Sequence, residues 1–168
     1  MPNPGEVIVF GDISFYHLPN GATTLGGPAL HFARHLQLWQ GKPFLISAFG
    51  DDSHQEALDE IMRLEIVPGG VQKINGFPTG SADVGLQADR ATYAFNSNSA
   101  WDMINGSRAM FYLRSIHVDP EYIHFGTHAA RKVGGLSRLA LFTILANFPN
   151  AIKIFDVNLR SNDVDENL

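Results

Sequence analysis

Asp156, Asn158 and Arg160 occupy alternate positions, so an extended chain turns a carboxylate, an amide and a guanidinium the same way until the strand ends. Such a trio is a polar cluster at a strand end; its plain reading is a charged strand end closing into a solvated loop. Gly26-Gly27 either lets backbone approach a ligand or makes the tight turn that a helix start demands. Asp51-Asp52 has the look of an acid or metal pair, but aspartates beside a helix start commonly cap it, and a structural role is expected. His31 and His35, and His124 and His128, have the i,i+4 spacing that could seat zinc on a helix. The second pair straddles a strand end at Gly126, and neither has an accompanying Glu or an evident third ligand, so no metal site is expected. Asn105-Gly106-Ser107 matches a glycosylation acceptor and is read as a turn.

The elements that must position these groups follow from hydrophobic patterning. Val7 to Phe10 is a continuous apolar run ending at Gly11-Asp12, the signature of a buried parallel strand feeding a loop. From Pro28, the residues Leu30, Ala33 and Leu36 recur at helical steps, with proline at the helix start. Phe44 to Phe49 predicts a second strand, and Ala57, Leu58, Ile61, Met62 and Leu64 a second amphipathic helix. Between Pro68 and Phe95 the texture changes to short alternating pieces, Val71 to Ile74 and Thr92 to Phe95, broken by Asn75-Gly76 and Pro78-Thr79-Gly80. Small antiparallel β structure is expected there. Tyr122 to Phe125 predicts a further core strand, Leu136 to Phe148 a helix with Leu139, Phe142, Thr143 and Ala146 on one side, and Ile152 to Val157 the last strand.

Alternating strands and helices argue for an α/β fold with a right-handed, doubly wound parallel sheet. Ligands bind such sheets outside the carboxyl ends of the strands. The joints Gly11-Asp12, Gly50-Asp51-Asp52, Gly126-Thr127-His128 and Asp156-Val157-Asn158 all fall at that edge. The last strand has apolar residues on both faces, as an interior strand does, while the residues after Val157 are mostly polar. The sheet is therefore expected to be incomplete at its C-terminal side, continued in a longer architecture or completed by a partner.

Composition narrows the partners. The 168 residues carry a net charge of −5, no cysteine, 45% hydrophobic and 17% charged residues. The charged share lies below the roughly 25% of an average domain, and the apolar share suffices for one core. An acidic chain without a basic run has no electrostatic footprint for nucleic acid or anionic lipid. Without cysteine there is no disulfide framework and no thiol chemistry. The N-terminus lacks the basic start and long apolar run of a signal peptide, so a cytoplasmic protein is expected.

Several strings, taken in order, resemble one family. These are LGG at Leu25 to Gly27, PFLISAFGDD at Pro43 to Asp52, PTG at Pro78 to Gly80, TYAFNSNSAWDMI at Thr92 to Ile104, HFGTHAAR at His124 to Arg131 and FDVNLR at Phe155 to Arg160. Together they resemble the amino-terminal half of the fructokinase branch of the ribokinase or PfkB carbohydrate kinases. The resemblance implies a ribokinase-like three-layer sandwich with a parallel central sheet and a small β lid, the lid matching the excursion at about 68–95. Residues 1–168 would then be the substrate-side portion of one sugar-kinase domain. It implies transfer of the ATP γ-phosphoryl group to a hydroxyl of a sugar such as fructose, with ATP and Mg²⁺ as cofactors of the intact family and none assigned to this chain. Trp101 and Asp102 would fix the chain's return from the lid to the core. Gly26, Gly27, Asn158 and Arg160 become substrate-binding candidates, with Tyr16 and His31 at two further substrate-binding positions.

The family's late Gly-Ala-Gly-Asp motif, whose amides hold the developing anion and whose Asp accepts the hydroxyl proton, does not occur in this sequence. No catalytic residue is assigned, and the chain alone is expected to be inactive. Two sugar-contacting positions also depart from the pattern. Tyr16 stands where relatives carry an Asp, and His31 where they carry an Asn; Gln55 replaces a usual glycine. Carboxylate and amide groups hold polyols better than phenol and imidazole do. A non-catalytic binding or regulatory module, dimerising through the lid or the sheet edge, is the alternative reading.

Overall fold

The uninterrupted apolar run after Gly5 forms β1 (Glu6–Phe10), the middle of the larger of two sheets. The structure, a computed structural model, describes residues 5–158 apart from 53, 88, 89 and 97. Along the chain β1 is followed by β2 (Ser14–His17), β3 (Thr23–Gly26), α1 (Pro28–Leu38), β4 (Lys42–Phe49), α2 (His54–Arg63) and β5 (Val71–Lys73). Then come β6 (Gly80–Gln87), β7 (Arg90–Phe95), α3 (Gly106–Ser115), β8 (Tyr122–Gly126), α4 (Thr127–Ala130), α5 (Leu136–Asn147) and β9 (Ile152–Asp156).

The central sheet has five strands in the order β5-β4-β1-β8-β9, every neighbouring pair parallel. Parallel strands with both faces covered must be apolar on both sides, and β1 obeys this. Val7 and Val9 pack with Ala29, Leu30 and Ala33 of α1 and Ala57 and Ile61 of α2. Ile8 and Phe10 pack with Met110 and Leu113 of α3 and Leu141 and Ile144 of α5. The result is the three-layer α/β/α arrangement expected from the alternating elements. No described helix is long and apolar enough to cross a membrane.

The second sheet has the order β3-β2-β6-β7 and covers residues different from those expected. Its members come from both 14–26 and 80–95, with β2 antiparallel to β3 and parallel to β6. Val71 to Lys73, read as part of the small β structure, instead extends the central sheet beside β4. The short turn at Pro68–Gly70 makes that possible, because glycine lets the chain press on the carbonyl of Leu45, where a Cβ on Gly70 would lie 2.3 Å away. Gln72 is buried and locks the strand in place, its amide donating to the carbonyl of Asn105 and its Oε1 accepting from Asn105 N–H.

Three further differences bear on packing. Asn105 caps α3, its Oδ1 accepting from Arg108 N–H at 3.0 Å, where a turn was expected. On α5 the buried face is Ser137, Ala140, Leu141 and Ile144, while Leu139 and Phe142 are about half exposed. β9 pairs with β8 alone among the described residues, and Ile152, Ile154, Phe155 and Val157 are exposed. An interior pattern thus sits at a sheet edge.

Candidate functional site

The carboxyl ends of β1 and β8 border a narrow cleft of about 10 Å³, room for about one water, and Asp12 is part of its lining. Gly11 follows β1 with Ala29 so close that a Cβ would lie 2.9 Å from the alanine methyl. The chain then buries Asp12 to 2% exposure, and its Oδ2 accepts no hydrogen bond. His128, on α4, brings Nδ1 to 3.6 Å from that oxygen. Phe95 from β7 and Asn158 after β9 also line the cleft, with Pro28 and Ala29 at the start of α1. Thr127 donates its hydroxyl to the carbonyl of Val157 at 2.5 Å, which ties α4 to the turn holding Asn158.

His124 lies at the same edge, 3% exposed and stacked on Phe32 with ring centroids 3.7 Å apart. Burial pushes its pKa below the ordinary histidine value, against an opposing pull from the Asp156 carboxylate. His31 is also lowered, by burial first and by His35 second, with Asp12 opposing. Both imidazoles are therefore mostly neutral at pH 7, since even the ordinary value is about 6.5.

A chain of aromatic rings runs from α1 through the small sheet to the core. Tyr16 meets His31 edge-on at 6.3 Å and Tyr93 at 5.8 Å. Tyr93 stacks on Phe95 at 6.2 Å, Phe95 meets His128 edge-on at 4.5 Å, and His128 stacks on Trp101 at 5.1 Å. Arg131 closes the series 4.1 Å from the centre of the Trp101 ring. Gly26 lies in the angle between Tyr16 and His31, where a Cβ would be 2.7 Å from the tyrosine ring.

Two polar clamps anchor the small sheet. Asp52 accepts from the N–H and the hydroxyl of Thr79, whose Oγ1 accepts from Gly50 N–H in turn. Asn96 takes the N–H of Ser81 and the hydroxyl of Ser99 on its Oδ1. The strands leaving and re-entering the core, at 79–81 and 96–99, are thereby tied together. Asp51 accepts from Gly76 N–H, so the aspartate pair holds the 76–79 loop, a structural role with partners the sequence did not indicate.

Of the residues singled out by sequence, Tyr16, Gly26 and His31 form one cluster, Gly27 packs against Asp12, and Asn158 lines the cleft. Arg160 lies outside the described residues. His124 and His128 are on different elements, as the strand end between them implied, and no group of three or more metal-ligating side chains occurs among the described residues. Trp101 is buried and Asp102 is held by Arg131 at 2.9 Å and Lys132 at 2.5 Å, which fixes the return of the chain to the core. Asp12 and Phe95 were not singled out as site residues, and His128 only as half of a histidine pair; the available signal was that Gly11-Asp12 and Gly126-Thr127-His128 are strand-end joints.

Chemically, the cleft is lined by a buried carboxylate, imidazole and an amide, with Phe95 beside them. No family model and no curated protein matches the chain. Solved structures do. A fructokinase from Xylella fastidiosa superposes with a TM-score of 0.81 at 16% identity, over 97% of this chain and 55% of its own. An uncharacterized sugar kinase from Pyrococcus horikoshii gives 0.79 at 18%, over 95% and 56%. The aminoimidazole riboside kinase from Salmonella enterica gives 0.74 at 17%, over 95% and 52%. The chain has the ribokinase-like fold of these sugar and riboside kinases and spans about half their length.

Proposed function

We propose that this chain is the substrate-side portion of a fructokinase-like carbohydrate kinase of the PfkB type, acting in the cytoplasm. The observation that carries the reading is Asp12, a buried carboxylate with an open acceptor oxygen at the carboxyl edge of the central sheet. That oxygen, with His128 Nδ1 3.6 Å away, has acceptor capacity for a donor brought by the ligand. A sugar hydroxyl is such a donor. The Asn158 amide and the backbone around Gly26-Gly27 would orient the ligand, and the small sheet would exclude water from the reacting edge. In the complete kinase ATP with Mg²⁺ supplies the phosphoryl group. The Gly-Ala-Gly-Asp base and anion hole are missing from these residues, so this chain by itself transfers no phosphate.

The test is thermal unfolding with a panel of D-fructose, D-ribose and ribosides, alongside a phosphotransfer assay with ATP and Mg²⁺. At a hundredfold excess over its dissociation constant a ligand stabilises the fold by about 2.7 kcal/mol. At least one hydroxylated ligand is expected to raise the midpoint, Asp12→Ala to abolish the rise, and phosphotransfer to stay at background. No stabilisation by any of them overturns the reading. Tyr16 and His31, at the two sugar-contacting positions, favour a second reading in which the chain binds ligand or regulates a partner without catalysis.

A further inference from the structure

Resting on that reading, we infer that His128 is the positioning residue of the cleft: it aims the Asp12 carboxylate at the incoming hydroxyl and takes its own placement from Phe95 of the small sheet. The juxtaposition that carries this is one histidine held by four partners. Its Nδ1 lies 3.6 Å from Asp12 Oδ2. Its ring stacks on Trp101 with the planes 16° apart and meets Phe95 edge-on at 81°. Its carbonyl accepts from Arg131 at 2.7 Å. A helix of four residues such as α4 has too few internal bonds to hold itself, so these contacts set where the imidazole stands.

Trp101 and Arg131 are locked to each other and, through Arg131, to Asp102. Phe95 alone among the four comes from the small sheet, as the last residue of β7, next to the Asn96 that clamps Ser81 and Ser99. The seating of that sheet therefore sets one edge of the imidazole. The contact between nitrogen and carboxylate is left open. At 3.6 Å it is longer than the roughly 2.7–2.9 Å of a charge-assisted hydrogen bond, and the cleft has room for about one water. One ligand hydroxyl fits the place such a water would take. A neutral imidazole carries its proton on the nitrogen that faces an acceptor, so an Nδ1–H and the ligand hydroxyl share the carboxylate between them. Any flat ring could fill the space beside Trp101 and Phe95, but only the nitrogen can address Asp12, and that separates positioning from packing.

Calorimetry on the full chain follows D-fructose and D-ribose, and long-range ¹H–¹⁵N spectra at pH 9, above the ordinary histidine value of about 6.5, follow the ring nitrogens. Whichever sugar binds is expected to bind about tenfold more weakly to His128→Phe, which keeps the flat ring, and near the parent level to His128→Asn, which keeps an N–H where Nδ1 stood. Phe95→Leu is expected to weaken binding too, and to add little to His128→Phe, because the two act through one contact. In the ligand-free chain His128 is expected to be the Nδ1–H tautomer, with its Nδ1 resonance shifted by Phe95→Leu. The opposite order, with the phenylalanine variant binding like the parent and the asparagine variant weakly, makes the residue packing alone and overturns the inference. An Nε2–H tautomer, or an Nδ1 resonance indifferent to Phe95→Leu, also overturns it, and both leave the carbohydrate reading standing. Binding of neither sugar overturns the carbohydrate reading itself, and the positioning role with it.

Discussion

Gly27 answers to two constraints at once. Its φ of 113° is strained for any side chain, and a Cβ would lie 2.5 Å from the carbonyl oxygen of Asp12. Gly27→Ala should cost on the order of 3 kcal/mol in urea unfolding and displace the carboxylate from the cleft. His124 sets a pH dependence. Its folded pKa is depressed, so the unfolded chain binds the proton more readily, and stability rises with pH through the interval below the ordinary value of about 6.5. Above that value both states are neutral and the contribution is flat. Thermal midpoints should therefore fall as pH is lowered from 7.5 to 5.5, and His124→Phe, which keeps the stack on Phe32, should flatten the slope. An unchanged slope in the variant would assign the effect to other groups.

At the scale of elements, the small sheet is held by few bonds, and Thr79 makes several of them. Thr79→Val removes the hydroxyl that serves both Asp52 and Gly50, leaving a buried N–H without its acceptor. A loss of about 1–3 kcal/mol is expected, with faster amide exchange in β6 and β7 than in β1. How legible each element was depends on where its information resides. β1, β4 and β8 are apolar runs that must be buried whatever their neighbours, and α1 announces itself with Pro28 and a helical stripe, so all were readable in sequence. β2 and β3 are short and partly polar, yet Asn20-Gly21 marks the turn between them, and that signal was missed. β5 alternates, but three residues do not say which sheet they join, and α3 exposes Phe111, so it does not stand out by periodicity. The candidate site divides the same way. Gly26, Gly27, Tyr16, His31 and Asn158 were named from motif positions and come to one edge, whereas pairing Asp12 with Phe95 and His128 requires knowing which strand ends meet.

For the whole molecule, the apolar edge at β9 is the feature with the clearest solution behaviour. Ile154 and Phe155 are exposed beside a row of backbone groups that no described strand pairs. Sedimentation of the chain should show mass rising with concentration, and Phe155→Lys should suppress the rise; a monomer at all concentrations would remove this expectation. The two-part origin of the small sheet has a consequence in time. Ser14 pairs with Gly80, so β2 and β3 remain a lone hairpin until the chain through β4, α2 and β5 has been laid down. Isolated hairpins are marginal in water, and contacts between distant residues form late because the loop between them must first be closed. The small sheet thus closes late, because β2 must wait for β6, while the cleft beneath it waits longer still for β8 and α4.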